Sequence, residues 1–221
     1  MSPDEQPLVS ARSLGIRYGA LEILRGVHLD VLAGTHLAVT GRSGSGKTTL
    51  LLVLAGLLPP STGAVSWPGL AEAPGRRRAE IGMVFQAPSL MPELTALQNV
   101  TLPLRLRGAD PESAGAAAVG ALSSVRSDDL AEALPAQLSG GQQQRVAIAR
   151  ALAGRHRLVF ADEPTGALDR AHAHEVALAL RDGVAATGGA LVLATHDPEL
   201  ASMFDEQLVV ADGVLAGTGT R

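Results

Sequence analysis

The sequence predicts an α/β fold: a core built on a mostly parallel sheet, with an antiparallel β subdomain at its N-terminus and an inserted α-helical subdomain. Three observations carry that expectation. A glycine-rich stretch at 41–49 stands between the apolar run 37–39 and a second run at 50–54, which reads as strand, turn and helix. Two further apolar runs, 158–162 and 190–195, read as buried strands with helical sequence between them, and such alternation gives a parallel sheet covered on both faces. From 89 to 138 the chain turns alanine-rich and helical in period.

The elements follow in order. Residues 8–18 and 27–32 alternate, with Val27, Leu29 and Val31 on one face, and read as antiparallel strands bounded by Gly19 and Gly26. A strand at 35–40 feeds the glycine-rich turn. A helix from 47 to about 57 stops before Pro59-Pro60. Short strand material at 64–67 is followed by a loop punctuated by Pro68, Gly69, Pro74 and Gly75. The run 80–86 reads as a strand ending on Gln86. The helical stretch 89–138 breaks at Pro92, Gly108 and Pro111, and splits the core into 8–88 and 139–216. Ser139 is a good N-cap for a helix to about 153. A helix at 170–186, the strand 190–195 ending at His196, and a closing hairpin at 206–216 complete the chain.

Size and composition narrow the function. The 221 residues suit one domain, and 46% hydrophobic content is ample for a core. Only 2% are aromatic and the net charge is −4, with Arg76-Arg77-Arg78 the sole basic run. A nucleic-acid binder calls for a basic patch, so none is expected as a partner. With no cysteine, disulfides and thiolate metal sites are excluded. The start, residues 1–7, is acidic without an apolar core and is not a signal peptide. No run approaches the roughly 20 apolar residues of a membrane span. The chain is expected inside the cell, with any membrane role reached through a partner.

Gly41, Ser43, Gly44, Ser45, Gly46, Lys47, Thr48 and Thr49 fit the phosphate-binding pattern G-x-x-x-x-G-K-[ST] between strand and helix, the mark of a P-loop NTPase core. Glycines let successive N–H groups turn toward phosphate oxygens, and the new helix adds its positive end. Lys47 brings a charge to the β- and γ-phosphates, and the Thr48 hydroxyl can ligate Mg²⁺. Among the 18 basic residues, Lys47 is the one lysine. A slim ammonium enters a narrow anion site where a planar guanidinium fits poorly.

Asp162 and Glu163 close the strand at 158–162, where two adjacent acids need a cation or a proton to manage. Beside a P-loop, Asp162 orients Mg²⁺ and Glu163 takes the proton of the water attacking the γ-phosphate. Ser139, Gly140, Gly141 and Gln142 open the next helix with two glycines, a backbone suited to close approach, and their free N–H groups form a second anion site.

With P-loop, Leu-Ser-Gly-Gly-Gln signature and the Val-Phe-Ala-Asp-Glu strand together, the chain resembles the ATP-binding subunit of ABC transporters over about 8–216. The resemblance implies further roles. Tyr18 matches the aromatic placed against adenine. Gln86 matches the glutamine that contacts Mg²⁺ and the attacking water and links to the membrane partner. Ala167-Leu168-Asp169 matches the loop that crosses to the other subunit, and His196 the histidine on the γ-phosphate. His28, His36, His156, His172 and His174 are read as structural. In the family two ATP sites form between two copies, the P-loop of one facing the signature of the other, so ATP and Mg²⁺ join a homodimer that hydrolysis releases.

The segment Leu102-Pro103-Leu104 and Thr165-Gly166 look like the lipoprotein-release and macrolide-export group, whose membrane partner is an FtsX-type permease. Gln98 and Ala167 depart from that group, which usually has Glu and Asn there. An importer ATPase, for instance for polar amino acids, shares enough of the segment to remain an alternative. A chromosome-organising or repair ATPase is set aside, because Lys47 and Leu138 lie only 91 positions apart without a heptad pattern. Translation-factor relatives carry two cassettes, and small-molecule kinases leave Ser139–Gln142 unexplained. The expected place is cytoplasmic, peripheral on the inner face of the membrane through the permease.

Overall fold

The computed structural model describes residues 6–166 and 168–217, and of Arg170 and Ala171 the backbone alone. The acidic start 1–5 and Ala167, each given a reading above, lie outside the described residues.

The expected α/β class holds. Strands β1 (Val9–Tyr18), β2 (Leu21–Val31) and β4 (Thr62–Ser66) form an antiparallel sheet in the order β2-β1-β4. The larger sheet joins β3 (His36–Thr40), β5 (Ile81–Val84), β6 (Leu158–Asp162), β7 (Ala190–Ala194), β8 (Glu206–Ala211) and β9 (Val214–Gly217) in the order β5-β6-β7-β3-β8-β9. Every pairing in it is parallel except the hairpin β8–β9.

Strand periodicity explains why both faces are covered. Val159 and Ala161 of β6, with Leu191 and Leu193 of β7, face a core built with α3 (Ala96–Leu106), α4 (Pro111–Ser124), α5 (Gly140–Ala153) and α6 (Arg170–Ala185). Leu158, Phe160 and Val192 face the opposite way, into a core shared with α1 (Lys47–Leu54) and the antiparallel sheet. β7 is therefore apolar at every position and β6 at all but its last, as doubly covered parallel strands are.

Four expectations are corrected. β2 begins at Leu21 rather than 27, because the chain passes Gly26 as a bulge: the register with β1 shifts there and Gly26 takes φ +59°. The loop expected at 68–75 ends in a helix, α2 (Pro74–Glu80). Pro74 occupies its first position, where a missing N–H costs nothing, and Arg77 lies 4.4 Å over the Trp67 ring. α1 ends at Leu54, three residues sooner than expected, and β5 ends at Val84, so Gln86 lies beyond it on a bend.

The turn after α5 packs a partly buried His156 against glycines. A Cβ on Gly154 would lie 2.1 Å from its ring and one on Gly82 2.6 Å, so neither position tolerates a side chain while the ring stays. Nδ1 lies 3.1 Å from Ala79 O, which fixes it as the protonated nitrogen of a neutral ring. Burial first, and the Arg107 charge second, hold its pKa at about 4, down from the ordinary 6.5. The unfolded chain thus binds this proton first as pH falls, and stability present above pH 6.5 is lost down to about 4. The loss is about 3 kcal/mol at one RT ln 10 per pH unit. Urea unfolding at pH 7 and pH 4 is expected to show a smaller acid loss in His156→Gln by about that amount; equal losses would contradict it.

Candidate functional site

The carboxyl ends of β3, β6 and β7, neighbours in the sheet, deliver the site, as open parallel sheets do. β3 runs into the glycine-rich loop. Gly41 takes φ +146° and a Cβ there would lie 2.5 Å from Val210 O. Gly46, at φ +105°, is the N-cap of α1 and passes Ile23 and Leu24 at distances a Cβ would reduce to 3.2 and 3.1 Å. No side chain among the described residues caps α1, so its first N–H groups remain for an anion.

Lys47 is buried, and its ammonium bridges the loop by donating to Gly41 O at 2.8 Å and Arg42 O at 3.3 Å. It also lies 3.5 Å from Glu163 Oε1. The other Glu163 oxygen is 2.9 Å from His196 Nδ1, just past the end of β7. Glu163 itself takes φ +44°, the left-handed region that non-glycine residues enter at a cost, and such strain concentrates at functional sites. The carboxylate is thus held between an ammonium and an imidazole.

Thr48 donates through Oγ1 to Asp162 Oδ2 at 2.8 Å. Asp162 Oδ1 is buried with no hydrogen-bond partner among the described residues. Burial raises the Asp162 pKa, and the Glu163 charge adds to it, while the Thr48 bond and Lys47 pull the other way. An orphaned carboxylate oxygen beside a hydroxyl is the donor set of a cation that takes few protein ligands. Among the described residues no group of three or more His, Cys, Asp or Glu could cage a metal. Mg²⁺ fits this pattern, because it keeps waters and phosphate oxygens around one or two protein oxygens.

Ser43, Gly44, Gly46, Lys47, Thr48, Thr49, Gln86, Glu163 and His196 line one cleft of about 460 Å³. The expected P-loop, acid, glutamine and histidine are therefore brought together. Ile23 and Gly166 share its wall and were not anticipated; nothing in the sequence distinguishes an apolar strand residue that faces a ligand from one that faces a core. Tyr18 is not brought to this wall. It ends β1, paired with Leu21, and is 55% exposed.

The signature, expected as a second anion site, lies elsewhere. Ser139, Gly140, Gly141, Gln142 and Asp169 border a separate hollow of about 390 Å³. Ser139 and Gln142 form a capping box, with Ser139 Oγ accepting from Gln142 N at 3.3 Å and Gln142 Oε1 accepting from Ser139 N at 2.8 Å. Asp169 caps α6 and contacts His172 Nδ1 at 2.6 Å, so a histidine read as structural borders the signature. The spacing Asp-x-x-His at a helix start was the available signal. The two glycine-rich helix starts thus border separate hollows of one chain.

The family model "ABC transporter" matches residues 24–166. The lipoprotein-releasing system ATP-binding protein LolD of Shewanella frigidimarina is 39% identical over 97% of this chain and 95% of that one. The macrolide export ATP-binding/permease protein MacB of Marinobacter nauticus is 39% identical over 97% of this chain but 35% of its own length. Among solved structures, the dimeric post-hydrolysis structure of the ATP-binding cassette MJ0796 bound to ADP and Pi superposes with a TM-score of 0.86 at 33% identity, over 96% of this chain and 100% of that chain. The chain belongs to the ABC transporter family, as an ATP-binding and ATP-hydrolysing subunit.

Proposed function

We propose that two copies of this chain close around two ATP molecules and drive an FtsX-type permease from the inner face of the cell membrane, in export, lipoprotein release or mechanotransmission. The dimer is supported by the separation of P-loop and signature hollows, and by the dimeric relative. The permease type is supported by the likeness to LolD and MacB over nearly the whole chain. Among the described residues no helix is long and apolar enough to cross a membrane.

The observation that carries the chemistry is the Glu163 carboxylate between Lys47 and His196. A triphosphate in the loop draws Lys47 from Glu163 onto the β- and γ-oxygens, because a phosphate there carries more charge than the carboxylate. Glu163 is then free to accept a proton. Water attacks the γ-phosphorus, its proton passes to Glu163, the bond from γ-phosphorus to the bridging oxygen breaks, and ADP and phosphate leave. His196 turns from Glu163 to the γ-phosphate, and Gln86 orients the water. Thr48, Asp162 and Gln86 would hold Mg²⁺, which when bound neutralises charge on the β- and γ-phosphates. Tyr18 stacks on adenine, and Ser139, Gly140, Gly141, Gln142 and Asp169 meet the ATP held by the other copy.

The subgroup is tested by reading the neighbouring frames and co-expressing this chain with whichever membrane protein they encode. A four-span FtsX-type permease that co-elutes with it in detergent and raises its ATP turnover is the expected result. A multi-span importer permease in that place, co-eluting in the same way, would contradict it.

A further inference from the structure

Helix α5 opens with the signature, and two of its side chains grip the backbone on either side of Gln86. Gln144 is wholly buried and donates from Nε2 to Phe85 O at 3.1 Å. Arg150 donates to Pro88 O at 3.0 Å and to Ser89 O at 2.9 Å. Carbonyls just before and just after Gln86 are thus tied to one 14-residue helix. Ser89 takes φ +50°, so the chain is bent into this grip rather than lying in it freely.

The amide orientation of Gln144 is fixed chemically, because only its NH₂ can face a carbonyl oxygen. That leaves Oε1 buried with no hydrogen-bond partner among the described residues. An unpaired buried acceptor is destabilising, so Gln144 is a poor choice for packing alone. The bond to Phe85 is what the side chain achieves.

We propose that Gln144 and Arg150 are positioning residues that tie the placement of Gln86 to the position of the signature helix, so that the two ATP sites of a dimer fire cooperatively. The proposal rests on the dimer reading above. In that dimer each chain gives Gln86 to the ATP in its own loop and Ser139 to the ATP of its partner. Contact of Ser139 and its neighbours with the partner's ATP shifts the start of α5. The helix moves as a rigid rod, and Phe85, Pro88 and Ser89 carry Gln86 with it. Occupancy at one site then biases the geometry of the other, a coupling free energy between two sites.

The test is ATP turnover against ATP concentration for the full chain and for Gln144→Met, Arg150→Ala and Arg150→Lys. Methionine keeps the volume, removes the orphan acceptor and leaves Phe85 O without its donor. The unaltered chain is expected to show a Hill coefficient approaching about 2, the number of sites. Gln144→Met and Arg150→Ala should bring it to about 1 and lower kcat about tenfold, the scale of one lost hydrogen bond, with binding of a fluorescent ATP analogue within about twofold. Arg150→Lys, which can still reach one carbonyl, should retain intermediate cooperativity. Should Gln144→Met fail to fold, the partly exposed Arg150 variants decide. Folded variants that keep the full coefficient overturn the coupling. So does a coefficient of 1 in the unaltered chain. ATP-dependent doubling of mass in Glu163→Gln reads the dimer independently: without it, the underlying reading has failed, and with it, only the coupling has.

Discussion

Glu163→Gln should lower ATP turnover by roughly 10²–10⁴-fold, the scale of losing a positioned general base, while ATP binding stays intact. Glutamine keeps the shape and can still meet His196 Nδ1, now 2.9 Å from the carboxylate, but it cannot accept the water's proton. Because Lys47 lies 3.5 Å from Glu163, neutralising the acid also frees the ammonium for phosphate. ATP affinity should therefore hold or rise slightly. Steady-state phosphate release and equilibrium binding of ATP measure the two halves separately. Turnover at the unaltered rate would remove Glu163 from the role of base.

Lys47→Ala should act on the other quantity. One charge-assisted contact to phosphate is worth about 1.5–3 kcal/mol, so ATP affinity should fall roughly 10- to 100-fold. Lys47→Arg should not restore it. The ammonium sits buried against Gly41 O and Arg42 O, in a space walled by loop backbone that a planar guanidinium exceeds. Isothermal titration with ATP under conditions that block hydrolysis reads the effect. An unchanged dissociation constant in Lys47→Ala would contradict the loop's assignment.

What the sequence made legible was local chemistry. β6 is a short run of apolar residues ending on an acid, and it folds as read because both its faces are covered. Ser139 was identifiable as an N-cap because its oxygen and the Gln142 amide satisfy each other within four residues. The glycine-rich loop was legible for the same reason, since its turn chemistry is written in adjacent positions.

What stayed hidden depends on distant partners. β2 runs through Gly26 because β1 shifts register opposite it, and a glycine alone signals a stop as readily as a bulge. α2 forms in a stretch dense in proline and glycine, with Arg77 resting on Trp67 from the preceding segment. Gln144 and Phe85 lie 59 residues apart, so no spacing rule connects them. Ile23 borders the cleft because β2 crosses the loop, a fact of the antiparallel sheet rather than of its own neighbours. The role of Tyr18 rests on resemblance alone: its side chain is exposed at the end of β1, and its own neighbours do not show what it would stack on.

In the proposed dimer one chain holds half of each ATP site and a second copy completes it. Light scattering of Glu163→Gln, with and without ATP, tests this most directly. Composite sites require a doubling of mass on adding ATP, and no doubling when Ser139→Arg is added to block the signature. A mass that ATP leaves unchanged, or one that still doubles with the signature blocked, would contradict it.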